Sequence, residues 1–182
     1  MMSRSPFLTR RCFVKYSLQL VAGIVLSSPL ESIASLGSYS MTFYHTHTGE
    51  HLKVNYSCNG CTSATLNRLN NFLRDFRTGD VHVIDPALLD IIYGIQQKSG
   101  SNGVIEIISG YRSPKTNALL RSQSSGVAKK SLHMKGKAVD IRVTGLDTRK
   151  LRDTAISLRQ GGVGYYAKSD FVHIDTGRVR TW

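Results

Sequence analysis

Apolar positions along this chain change their spacing several times, and each change marks an element. Residues 41–44 and 52–56 read as short strands. Gly49 lies in the polar stretch between them, which predicts a hairpin. Across 62–77, Leu66, Leu69, Leu73 and Phe76 recur at three- and four-residue intervals. That is the stripe of an amphipathic helix, with Thr62 or Ser63 as its cap and Gly79 near its end. Asp85 and Pro86 open a second helix through 97, the acid at the cap and the proline in the first helical position. Its buried stripe is Leu88, Leu89, Ile92 and Ile95. Residues 104–108 read as a strand, ended by Ser109-Gly110-Tyr111-Arg112, and Ser113-Pro114 starts a short helix. A strand at 138–143 follows a loop around Lys129 and Lys130. A third long helix spans 148–160, with Gly161-Gly162 as its terminator, and strands at 163–166 and 171–175 close the chain. Helices come early and strands cluster late, so the pattern predicts an α+β fold: a small, largely antiparallel sheet with helices on one side.

Two of the late strands carry polar residues on one face. In the first, Val139, Ile141 and Val143 share a side, so Asp140 lies on the other. In the second, Val172 and Ile174 share a side, which leaves His173 and Asp175 opposite. If these strands are neighbours, Asp140 and His173 meet on the open side of the sheet. His133, in the loop entering the first strand, reaches over the same spot; Gly136 lets the chain turn there and Ala138 adds little bulk. Taken singly, each residue reads as a surface or hydrogen-bonded group. Taken together, two imidazoles and a carboxylate offer the three ligands of a catalytic zinc with one position open. Zinc in such a site generates a nucleophile from water near neutral pH, which points to hydrolysis.

Composition narrows the class. Of 182 residues, 41% are apolar and 20% charged, normal for one globular domain. Lys and Arg number 24 against 12 acidic residues, a formal charge of +12, which attracts polyanions. No helix-turn-helix pattern, interleaved aromatic platform or long basic run is present, so nucleic acid is not the expected partner. At the N-terminus, Arg10-Arg11 and Lys15 precede a modest apolar run, and Ser32-Ile33-Ala34 offers a small-x-small cleavage site. This reads as a twin-arginine export signal over 1–34, followed by one domain over 35–182. The apolar run is too short and interrupted for a stable membrane span after signal cleavage, and the location expected is periplasmic. Cys58 and Cys61 form a C-x-x-C pair suited to a small disulfide loop or to plain thiols. His45, His47 and His51 form a rival imidazole cluster, but no carboxylate closes it, and they are expected to decorate the hairpin turn. Tyr165 and Tyr166 either line a groove or send one ring into the core.

The pattern Ser131-x-His133-x-x-Gly136-x-Ala138-x-Asp140 resembles the S-x-H-x-x-G-x-A-x-D motif of the zinc D,D-peptidase/hedgehog-like superfamily, and His173 fits its final ligand. Ser109-Gly110-Tyr111-Arg112-Ser113, Gly161-Gly162-Val163-Gly164-Tyr165-Tyr166 and Phe171-Val172-His173-Ile174-Asp175 look most like the YcbK-type murein endopeptidases of that M15-type group. The resemblance runs from about His45 to Trp182. It implies zinc held by His133, Asp140 and His173, with peptidoglycan as substrate. It implies that Arg112 steadies the substrate or a developing oxyanion. Ser131 matches a residue near the substrate, and loop capping is an equal reading. In the carboxypeptidase branch a glutamate three residues before the last histidine is the general base; here Asp170 stands in that place. Asp175 either orients an imidazole or is a surface charge. The activity implied is hydrolysis of peptidoglycan peptide cross-links. The alternatives are a D,D-carboxypeptidase, an L-Ala-D-Glu endopeptidase, or a zinc-containing wall-binding module without turnover.

Overall fold

The structure is a computed structural model and describes residues 38–57 and 61–182. The leader read over 1–34 and Cys58 lie outside the described residues.

Seven strands form one mixed sheet in the order β2-β1-β3-β4-β6-β5-β7. They are β1 (Ser38–His45), β2 (His51–Ser57), β3 (Ile105–Ser109), β4 (Ala138–Val143), β5 (Gly162–Tyr166), β6 (Phe171–Asp175) and β7 (Arg180–Thr181). The pairs β1–β3 and β5–β7 are parallel and the other four are antiparallel, so the largely antiparallel expectation holds. Among the described residues, four α-helices accompany the sheet: α1 (Ser63–Phe72), α2 (Ala87–Ser99), α3 (Pro114–Gln123) and α4 (Thr148–Leu158).

The alternation read from the sequence decides which face is covered. Met41 and Phe43, Leu52 and Val54, Ile105 and Ile107, Val139, Ile141 and Val143, and Val172 and Ile174 are buried in one cluster. Leu69 and Phe72 of α1, Leu88, Ile92 and Ile95 of α2, and Leu151 and Ala155 of α4 complete it. The short helix α3 gives no side chain to that core, and its buried residues are Thr116 and Asn117. Burial of this one apolar face leaves the other face to polar residues.

Four expectations are corrected. The first helix stops at Phe72 rather than Arg77. Past Leu73 the backbone turns to serve other partners: the Asp75 carbonyl accepts from Gly79, and the Leu73 carbonyl accepts from Tyr111 at 2.7 Å. Gly161-Gly162 does not end α4; Arg159 takes the left-handed conformation there, with φ 54°. Gly161 is small for another reason, since a Cβ on it would stand 1.7 Å from the Asp175 carbonyl oxygen. Residues 132–135, read as loop, form a 3-10 turn (Leu132–Lys135) closed by Gly136 at φ 63°. Thr62 caps α1 and Ser113 caps α3, as read. At α2 the helix starts one residue later than read, with Pro86 rather than Asp85 in the cap position, and the Asp85 carboxylate accepts from Ala87 N.

Candidate metal centre

Register brings the first two donors together. β4 and β6 are antiparallel neighbours, and Asp140 pairs directly with His173. Directly paired residues point to the same side of a sheet. Both therefore project from the open face, and His173 Nδ1 lies 2.8 Å from Asp140 Oδ1. The third donor comes from the 3-10 turn that enters β4. Gly136 makes that turn possible twice over: it adopts positive φ, and a Cβ would stand 2.1 Å from the Val83 carbonyl oxygen. His133 is thereby laid over the sheet, with Nε2 3.2 Å from His173 Nδ1 and 3.3 Å from Asp140 Oδ1. All three residues are buried.

The outer partners set the tautomers. His133 Nδ1 is 2.8 Å from the Gly110 carbonyl, which can only accept, so that nitrogen carries the proton. His173 Nε2 is 3.1 Å from Asp175 Oδ2 and donates to it in the same way. The inner nitrogens then present lone pairs to one another and to the Asp140 carboxylate. Three acceptors in such proximity repel unless a proton or a cation is shared among them. Two imidazole nitrogens and one carboxylate oxygen, each within 4.8 Å of the others, are the donor set of a borderline divalent metal. Among the described residues this is the one such group.

Electrostatics agree. Burial works against charge on Asp140, yet the neighbouring imidazoles hold its carboxyl well below the usual carboxylate range. Burial also disfavours a charged His173, but the bonds to Asp140 and Asp175 outweigh it and raise its pKa. Asp175 is fully buried and is no surface charge. Besides His173 it receives Arg180 at 2.6 and 3.0 Å and the amides of Gly162 and Gly177. The orienting alternative for Asp175 is the one this geometry fits.

Arg112 stands beside the three donors. Its guanidinium lies 3.8 Å from Asp140 Oδ2 and its backbone N–H donates to the His133 carbonyl. Its Nε is buried without a hydrogen-bond partner, a donor held near the open face. A register shift between Ile107 and Ser109 re-aims the chain into this turn. Ser131 is buried at the start of the 3-10 turn, and its hydroxyl makes no capping bond there. Asp170 is not brought into the cluster. It closes a short 3-10 turn in left-handed conformation, its Oδ1 accepts from Thr148 at 2.8 Å, and Arg142 lies 3.7 Å from Oδ2.

The rival histidines do not converge. His45 is buried against Phe72 and Phe76, and His47 stacks on Phe76 at 4.1 Å. Burial lowers the His45 pKa to about 4, so it sits neutral in the core. Tyr165 turns toward α4, where Arg152 lies over its ring at 4.7 Å, and Tyr166 stays exposed.

Asp75 carries no motif in the sequence and yet supports the site. Its buried carboxylate accepts from Ser113 N at 2.8 Å and from Arg77 N, so it braces the turn that carries Arg112. The signal available was Gly79, whose positive φ closes a turn on the Asp75 carbonyl.

A probable peptidoglycan L,D-endopeptidase MepK of Haemophilus influenzae is 46% identical over 167 residues, 91% of this chain and 90% of that protein. The peptidoglycan L,D-endopeptidase MepK of Escherichia coli K12 is 40% identical over 174 residues, 95% of this chain and 96% of the relative. No solved structure matches. The family model described as peptidoglycan L,D-endopeptidase MepK matches residues 34–182, a span that takes in all three donors, Arg112 and the whole described sheet, and the chain therefore belongs to that family, peptidase M15_2.

Proposed function

We propose that this chain is an exported, zinc-dependent peptidoglycan endopeptidase that hydrolyses amides in the cross-links between stem peptides. The observation that carries the reading is the convergence of His133 Nε2, His173 Nδ1 and Asp140 Oδ1, with both tautomers set by Gly110 and Asp175. The family's description and the names of the relatives support the L,D bond, between two diaminopimelates, over the D-alanyl bond. In this reading residues 1–34 are a leader and 35–182 the catalytic domain. No helix among the described residues is long and apolar enough to cross a membrane. The excess of basic residues suits an anionic wall polymer.

His133, Asp140 and His173 would hold the zinc, which supplies Lewis acidity to polarise a carbonyl and to make water a stronger acid. Arg112 faces the same spot with its guanidinium 3.8 Å from Asp140 Oδ2, and stabilises the negative charge that grows on the scissile carbonyl oxygen. Ser131, buried with a hydroxyl free of the local cap, contacts the substrate backbone. Proton transfer falls to Asp170 by its place in the motif. To serve, its carboxylate leaves Thr148, a bond within an exposed pair.

The test is digestion of cross-linked muropeptides by the purified zinc-loaded protein, with and without a chelator, read by mass spectrometry. Cleavage between two diaminopimelates, abolished by the chelator and restored by zinc, is the expected result. No new product despite bound zinc would leave a wall-binding module; release of terminal D-alanine would make it a carboxypeptidase. Asp170→Asn is expected to lower kcat by roughly a hundredfold or more with zinc retained, the range of a lost general base. Near-normal turnover of that variant would remove Asp170 from the mechanism.

A further inference from the structure

Sheet order sets out the open face in a line: Arg112 beyond Asp140 on β4, His173 on β6, then β5. What stands on β5 is not a side chain of β5. Gly164 is the partner of His173 in the register, and a Cβ there would lie 2.5 Å from the Trp182 indole. The absent side chain is thus a notch on the same face as His173, and the indole fills it. Trp182 lies 5.2 Å from the His173 ring. Its Nε1–H donates to the Tyr166 hydroxyl at 3.0 Å, and the Arg180 guanidinium, itself anchored on Asp175, lies 4.7 Å from the ring centre. Tyr166 in turn stacks on Phe171 at 4.6 Å. Despite these attachments Trp182 is 50% exposed and Tyr166 36% exposed. A large aromatic surface, held still and left open beside a metal site, costs little entropy when it receives a ligand.

We propose that Trp182, seated in the Gly164 notch, is a substrate-positioning residue: it receives the methylene chain of the diaminopimelyl residue next to the scissile amide. The inference rests on the peptidoglycan endopeptidase reading. With the scissile carbonyl toward Arg112, the atoms flanking the amide extend across His173 onto the indole. The open face of the indole is apolar and suits methylenes. Sugar rings are joined to the far end of the stem peptide, away from the cross-link, so they do not reach a surface in contact with His173 while the amide occupies the centre.

The experiment uses the zinc-loaded protein and a cross-linked stem-peptide dimer from which the sugars have been removed. Trp182→Ala is expected to raise KM about tenfold or more, with kcat changed less than about threefold and zinc content unchanged, as for lost binding common to ground and transition states. Trp182→Phe restores most of the affinity. Gly164→Ala, which displaces the indole without deleting it, reproduces the rise in KM. The chain contains one tryptophan, so its emission reports on this position alone. A transient blue shift on mixing wild type with the dimer, decaying with turnover, is the expected signature. An unchanged KM in Trp182→Ala overturns the proposal. So does loss of zinc in that variant, which would make the indole a prop for His173, and so does an effect confined to sugar-bearing substrate, which would assign the indole to the glycan. If wild type fails to cut the dimer, the function reading itself falls; a dimer-induced emission shift would then still support the contact, and none would overturn it.

Discussion

Both imidazole donors in this site are held by a group behind them. Asp175 holds the Nε2 proton of His173, and the Gly110 carbonyl holds the Nδ1 proton of His133. Asp175→Asn keeps the size of the side chain but removes the charge that orients His173. Zinc affinity is expected to fall by roughly ten- to a hundredfold, measured by competition with a chromophoric chelator. The same bonds fix the direction of the pH dependence. The pKa of His173 is raised above its ordinary 6.5, and zinc requires the unprotonated ring. Affinity is therefore expected to be highest above that raised value and to decline as pH falls through it, because the proton competes for Nδ1. In the proposed reaction Arg112 acts on substrate rather than on the metal. Arg112→Ala is expected to cost roughly a hundred- to a thousandfold in kcat with zinc content unchanged, the magnitude for a lost oxyanion donor.

At the scale of elements, small residues decide how the parts approach. The 3-10 turn bearing His133 depends on Gly136, where both the positive φ and the nearby Val83 carbonyl exclude a side chain. Gly136→Ala is expected to destabilise the fold by about 1–3 kcal/mol, since strain at a special φ adds to a backbone clash. Thermal denaturation measures the loss, and zinc binding should weaken with it as His133 shifts. These elements were unevenly legible beforehand. β4 and β6 were readable to the residue because alternation on a half-buried strand is strict. The end of α1 was not, because Leu73 and Phe76 extend the helical period while Asp75 and Leu73 are taken by the turn carrying Arg112. The short β7 is equally silent in sequence: two residues are too few for any period, and its pairing with β5 is a long-range contact.

At the scale of the whole molecule, the site joins strands, a turn and a loop whose positions depend on one core. A ligand bound across them stabilises the folded state as a unit. Zinc at a hundred times its Kd is expected to add about 2.7 kcal/mol, seen as a higher Tm that a chelator reverses. His133→Ala should show no such shift. The sequence by itself determined the faces of the strands that carry the candidate donors and the α+β class, because side-chain alternation and helical periodicity are local properties of the chain. The tertiary structure decided the rest. It paired Asp140 with His173, turned Asp175 inward to Arg180, carried Asp170 away to Thr148, and set Trp182 on Gly164. Those outcomes depend on register and on close approach between segments distant in sequence, and no local period encodes which strands become neighbours.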